Sequence, residues 1–155
     1  VMRRHLNKYH GKERRQLTFV RWIVAPNKND KTGSRGTLIL EFWCAALRSH
    51  VLCYHDIGSG HRIKQGKNAG ESKTANKVKG GFRVTKGSGV HRWMLEQDVQ
   101  VKRLREAHVG FMSQMTSSKW NAPVCEEFNS KKGEFEYRTV LDFLKRGDLS
   151  DDIPF

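Results

Sequence analysis

Residues 16–25 read QLTFVRWIVA, and the fold class turns on this stretch. Aromatic and β-branched residues dominate it, which is the composition of a strand on a pleated, half-buried surface. Residues 26–36 follow with Pro26, Asn27, Asn29, Asp30, Gly33 and Gly36, the punctuation of a turn. The chain then returns in TLILEFW (37–43), which reads as a second strand. A helix over 38–48 fits the same short apolar run, because runs of this length discriminate poorly between the two. SHVLCYHDI (49–57) reads as a third strand.

Beyond it, residues 58–79 have no apolar period and form a long Gly- and Lys-rich loop; loops of this length in compact domains are usually functional or disordered. Residues 82–85 read as a short strand, 86–89 as a turn and 90–95 as another strand. Residues 97–115 carry the best helical pattern. Val101, Leu104, His108, Phe111 and Met115 recur at steps of three and four, Glu96 and Asp98 suit the positive end of the dipole, and Gly110 weakens the helix by up to about 1 kcal/mol. Residues 137–146 read as a short second helix stopped by Gly147. The expected fold is therefore α+β: a small mixed β-sheet with one long packed helix, a basic N-terminal extension and an acidic C-terminal extension. The corresponding divisions are an arm over 1–15, an RNA-binding domain over 16–118 and an extension over 119–155.

Charge gives the functional direction. The 155 residues hold 29 Lys and Arg against 16 Asp and Glu, a net charge of +13, with 37% hydrophobic residues. Self-repulsion of that size opposes compaction unless an anion neutralises it. Phosphate backbones do so with release of condensed counterions, and anionic membranes are the competing partner. No apolar run approaches the roughly 20 residues of a spanning helix. The excess is uneven. Residues 1–21 carry seven basic side chains against Glu13, and residues 58–92 carry nine against Glu71, whereas residues 126–155 carry eight acids against five bases. Eight glycines between 58 and 89 permit close approach of backbone to phosphate. Few aromatics lie in this stretch, which favours backbone contact over base stacking. The first twelve residues contain Arg3, Arg4, Lys8 and Lys12 and no acid, a pattern that suits an organelle-targeting region or an RNA-binding arm.

Other chemistry is poorly supplied. Three cysteines, Cys44, Cys53 and Cys125, fit a reducing compartment and no disulfide framework. Cys44, His50, Cys53, His55 and His61 can be drawn as a zinc cluster, yet they lack the short paired spacing such sites use. His5 and His10, five apart in the basic arm, suit nucleic-acid contact better than ligation. Cys125 precedes Glu126 and Glu127, an environment adverse to a nucleophilic thiolate. Neither a P-loop nor a dinucleotide-binding glycine motif occurs.

Residues 51–115 resemble the peptidyl-tRNA hydrolase domain of class I release factors and the related ribosome-rescue factors. VLCYHDI ends in Gly58-Ser59-Gly60, and Asn76-Lys77-Val78 matches the family's N-K-V. Phe82-Arg83-Val84-Thr85 stands at the family's spacing from that asparagine. Ser88-Gly89-Val90 resembles its turn into a second strand, Gln97-Asp98 its helix opening, and Ala107 its small helical residue. The family's catalytic Gly-Gly-Gln is absent: the loop between Gly60 and Asn76 is longer, Gly80-Gly81 is followed by Phe82, and Gln65-Gly66 is no substitute. The resemblance implies a ribosome-binding fold without its hydrolytic tip, as in some permanent components of mitochondrial ribosomes.

The expected function is structural: a protein of an organellar ribosome, in the mitochondrial matrix or alternatively the cytoplasm, holding rRNA by phosphate contacts and neighbouring ribosomal proteins by its extensions. The residues expected to contact RNA are Arg62, Lys64, Lys67, Lys73, Lys77, Lys79, Arg83 and Arg92, with Arg3, Arg4, Lys12, Arg14 and Arg15 from the arm. No cofactor, metal, membrane or small-molecule substrate is expected. The rivals are an active peptidyl-tRNA hydrolase and a free RNA- or DNA-binding protein.

Overall fold

Strands β1 (Arg14–Pro26), β2 (Arg35–Cys44) and β3 (Ser49–Ser59) stand where the three aromatic and β-branched runs place them. The computed structural model describes residues 6–26, 35–59, 77–78, 81–82, 84–101 and 109–149. The helix alternative over 38–48 is excluded, and the burial pattern of β2 shows why. Leu38, Leu40, Phe42 and Cys44 are buried while Glu41 and Trp43 alternate with them toward solvent, the two-residue period of a strand. β2 turns into β3 through a tight turn closed by the Arg48 N–H on the Ala45 carbonyl, with Arg48 at φ 50°.

The remaining elements are β4 (Lys77–Val78), β5 (Gly81–Phe82), α1 (Gly89–Glu96), α2 (Val109–Ser117), β6 (Trp120–Pro123), β7 (Cys125–Asn129), β8 (Glu134–Thr139), a 3-10 turn at Leu141–Phe143, and β9 (Lys145–Arg146). The seven-stranded sheet has the order β7-β8-β3-β2-β1-β6-β9, and β4 pairs with β5 in a separate antiparallel ribbon. β3 and β8 are parallel, whereas β1–β6, β6–β9 and β7–β8 are antiparallel, so the sheet is mixed as expected.

Three expectations are corrected. Residues 90–95, expected as a strand, are helical in α1. Ser88 caps its start by accepting the His91 N–H at 3.3 Å, and Val90, Trp93 and Met94 form its buried stripe. The long helix over 97–115 is not present, because α1 ends where that helix was to begin. The Asp98 N–H donates to Leu95 O at 3.2 Å and the Val99 N–H to Met94 O at 2.8 Å, with Asp98 at φ 54°. This is a Schellman stop, with a carboxylate-bearing residue in the left-handed position that glycine usually takes. The next described helix is α2; residues 102–108 lie outside the described residues. The helix expected over 137–146 is instead the end of β8, the 3-10 turn and β9. Here β8 finds two partners, Val51–Cys53 on one side and Cys125–Asn129 on the other, and ladder pairing overrides local helical preference. The segment set apart as an acidic C-terminal extension thus supplies four strands.

The chain forms two compact units. The first comprises Val1–Arg21, Leu40–Tyr54 and Met115–Phe155; the second comprises Trp22–Ile39 and His55–Gln114. Within the first, Leu17, Phe19, Leu40, Phe42, Val51, Trp120 and Leu144 are buried, and the Trp120 indole N–H donates to Met115 O at 2.8 Å. A smaller cluster joins Tyr9, Cys125 and Val140, with Leu6 and Phe143 at its edge. Within the second, Phe82 is fully buried and meets Trp22 and Phe111 edge-to-face, at centroid distances of 5.0 and 5.3 Å. Val84, Val90, Trp93, Met94 and Val99 are buried in that unit.

The Schellman stop gives a direct test. A non-glycine residue in the left-handed region costs roughly 1–2 kcal/mol. Asp98→Gly is expected to raise stability by up to about 1 kcal/mol, and Asp98→Val to lower it, in denaturant unfolding of the whole chain. A stabilising valine would show that the turn does not require the left-handed conformation.

Candidate nucleic-acid interface

In the first unit, the outward positions of β1, β2 and β3 bring charge and aromatic surface together. Arg21 from β1, Glu41 and Trp43 from β2, and His50 from β3 stand away from the buried partners Phe19, Phe42 and Val51. Glu41 holds two of them: its Oε2 lies 3.3 Å from Arg21 Nε and 3.6 Å from His50 Nδ1. The His50 ring meets Trp43 edge-to-face at 5.0 Å, and Trp43 keeps 39% of its surface exposed. Arg48, exposed in the β2–β3 turn, adds a further cation.

The residues expected to contact RNA are distributed differently from one another. Arg3, Arg4, Arg62, Lys64, Lys67, Lys73, Lys79 and Arg83 lie outside the described residues. Lys77 is placed in β4 by its backbone, opposite Phe82. Lys12 and Arg92 are exposed, Lys12 just before β1 and Arg92 on α1. Lys86 is exposed in the turn before α1, where the Gly87 N–H donates to His91 Nδ1 at 2.9 Å. Arg15 is partly buried and pairs with Glu13 at 3.3 Å. Arg14 is committed internally. Its Nε donates to Asn121 Oδ1 at 2.7 Å, and its Nη2 donates to the carbonyls of Asn121 and Phe143 at 3.1 and 2.7 Å.

Residues that sequence reasoning missed lie on the β7–β8 hairpin. Its four-residue loop follows Asn129, whose side-chain oxygen accepts the N–H groups of Lys131 and Lys132, and ends on Gly133 at φ 68°. Phe128 and Phe135 are cross-strand partners, in edge-to-face contact at 5.2 Å yet 55% and 68% exposed. Across the same hairpin, Glu127 gathers Lys8, the Tyr9 hydroxyl at 3.4 Å and Arg138 at 2.8 Å. Arg138 also reaches Glu136 at 2.6 Å and lies over the Tyr54 ring at 4.7 Å. The N-S-K-K-G turn was legible; the pairing that exposes two phenylalanines was not.

Of the residues drawn as a metal or nucleophile cluster, the cysteines are buried and His61 lies outside the described residues. Cys44, Cys53 and Cys125 are buried free thiols, and burial, helped by Asp142, pushes Cys53 up to about 12, so that it stays protonated. His50 faces Trp43 and Glu41, and His55 packs against Gly89, where a Cβ would come within 3.0 Å of its Nε2. Among the described residues no three His, Cys, Asp or Glu side chains gather as metal ligands. No helix among them is long and apolar enough to cross a membrane.

Burial alone would raise the Glu136 carboxyl. Hydrogen bonds from Arg138 and Asn129, with the charges of Arg138 and Lys132, outweigh it and hold the group below its ordinary value of 4.5. A depressed carboxylate contributes stability that is present above the unfolded value and is lost as pH falls through the folded one. The thermal midpoint is therefore expected to drop on acidification below about pH 4.5, and Glu136→Gln to flatten part of that drop. An identical acid limb in the variant would show that Glu136 does not contribute to it. The chain matches no family model, no curated protein and no solved structure.

Proposed function

We propose that this chain is an architectural RNA-binding protein that neutralises phosphates mainly with its second unit. The observation that carries the reading is the division of charge. The second unit holds fifteen Lys and Arg against six Asp and Glu, whereas the first holds fourteen against ten. In the first unit, carboxylates answer many of the cations: Glu127 and Glu136 for Lys8 and Arg138, Glu41 for Arg21, Asp148 for Lys119, Glu13 for Arg15. In the second, Lys86 and Arg92 are exposed and meet no carboxylate among the described residues. Cations left unpaired at a surface are free to neutralise phosphates and release the cations condensed on the nucleic acid. Arg62, Lys64, Lys67, Lys73, Lys77, Lys79 and Arg83 belong to the same unit by sequence. Arg3, Arg4 and Lys12 extend the footprint, and Arg14 is omitted from it.

The specific setting we favour is an organellar ribosome, with rRNA as ligand and the mitochondrial matrix as location. The release-factor resemblance that remains in Asn76-Lys77-Val78 and Phe82-Arg83-Val84-Thr85, once residues 88–98 are seen to be a capped helix and its stop, and the absence of Gly-Gly-Gln support a structural rather than a hydrolytic role. The exposed Phe128–Phe135 pair, on a hairpin whose Glu127 and Glu136 are paired with Lys8 and Arg138, suits apolar contact with a neighbouring protein.

A salt titration with a structured RNA tests the binding. Affinity is expected to fall by about a thousandfold or more between roughly 50 and 200 mM salt. The double variant Lys86→Ala, Arg92→Ala is expected to reduce the slope of log affinity against log salt by about 2, while Lys119→Ala leaves it unchanged. A flat salt response overturns the proposal. For the setting, the protein is expected to remain with ribosomal particles through a moderate-salt gradient; release there favours a free RNA-binding protein.

A further inference from the structure

We infer that the outward face of β1–β3 in the first unit is a stacking site for an unpaired nucleobase, with Trp43 as its platform. The inference rests on the RNA-binding reading and adds to it a second mode of contact, on a different unit from the charge excess.

Tryptophan is the side chain with most to gain from burial, and the other placed indoles take that gain. Trp93 and Trp120 are 4% and 0% exposed, and Trp22 packs on Phe82, whereas Trp43 retains 39% exposure. Its setting differs from a stray apolar residue at a surface. The His50 ring meets the indole edge-to-face at 5.0 Å and 70°, a contact that leaves 39% of Trp43 exposed. Glu41, with its side chain only 16% exposed, lies within ion-pair distance of Arg21 and of His50, the residue that touches the ring. A platform ordered in advance loses little conformational entropy when a base lands on it.

The charge around the ring selects the occupant. Arg21 and Arg48 against Glu41 leave the cluster at +1 with His50 neutral and +2 with it protonated. The Arg21 side chain is 58% exposed despite its ion pair, so its guanidinium remains accessible to a phosphate. A protein partner seeking an apolar surface would meet one ring ringed by charge. A nucleotide offers a π-face for the indole and a phosphate for the guanidinium, the pairing used by proteins that hold single strands. A base inside a duplex has no free face to offer, so the site discriminates unpaired from paired RNA.

The experiment titrates the full chain with a short oligouridylate and, separately, with an RNA duplex of equal length, reading tryptophan fluorescence and anisotropy. Wild type is expected to show quenching with the single strand. Trp43→Leu is expected to lose that quenching and about tenfold in single-strand affinity, with its salt slope and duplex affinity unchanged. Trp43→Tyr keeps a stacking ring and is expected to bind within about threefold of wild type. Unchanged single-strand affinity in Trp43→Leu overturns the inference and leaves charge-driven binding standing. So does a Trp43→Tyr variant that melts like wild type yet binds as weakly as the leucine variant. Failure of the wild type to bind either RNA overturns the charge reading and this one with it.

Discussion

The first unit is tied together by a buried amide. Asn121 is 1% exposed, and an amide at that depth costs free energy unless its donors and acceptor find partners. It finds them in two segments. Its oxygen accepts from Arg14 at the start of β1, its Nδ2 donates to Gly147 O at 3.0 Å beyond β9, and its own carbonyl takes a second bond from Arg14. Arg14 continues to the Phe143 carbonyl in the 3-10 turn. Gln16, two residues on and opposite Asn121 in the ladder, donates to the Trp120 carbonyl at 3.1 Å and accepts the Leu149 N–H at 2.8 Å. A one-residue slip of β1 against β6 would break the Arg14 and Gln16 bonds at once, so polar satisfaction fixes a register that apolar packing alone would leave looser. The core residues Leu17, Trp120 and Leu144 are buried in the arrangement that this register permits.

Around that core, ion pairs have a role other than cohesion. Exposed pairs contribute a median of about 0–1 kcal/mol each, less than a single well-buried leucine. Their effect is on the field. Glu127, Glu136, Glu41 and Asp148 draw cations of the first unit into local pairs and weaken its long-range attraction for polyanions. The second unit has few acids with which to do the same. One chain thus carries a unit near charge balance and a unit far from it.

The strands β1, β2 and β3 were legible because aromatic and β-branched residues dominate them, although for residues 38–48 a helix fitted the sequence as well. VHRWMLE was misread because valine and tryptophan also suit strands. The signals that mattered were Ser88 three residues before His91 and the helical spacing of Val90, Trp93 and Met94. The stop at Asp98 was harder to see, since a left-handed aspartate looks like an ordinary acid at a helix start. β8 was illegible for a different reason: YRTVLDF favours no state until Val51–Cys53 and Cys125–Asn129 pair with it, and those contacts are remote in sequence. Arg14 was grouped with the surface cations because net charge carries no information about which guanidinium turns inward. Trp43 was within reach of sequence reasoning. The alternation in TLILEFWC places it with Glu41 and opposite Phe42; what alternation does not convey is the His50 contact with the ring.

The division between the units also separates what sets stability from what sets affinity. Stability in the first unit comes from burial and satisfied polar groups, terms that salt barely alters. The charge excess of the second unit is a long-range term on both sides of the balance. It opposes compaction of the free protein, and it drives association with a polyanion. Added salt screens both, so conditions that weaken RNA binding relieve the self-repulsion of the unbound chain. A polyanion that binds the folded form removes the repulsion and adds its own binding free energy to the fold. A strongly basic unit of this kind is therefore in its most favourable state when its phosphates are in place, which suits a protein that resides on RNA more than one that visits it.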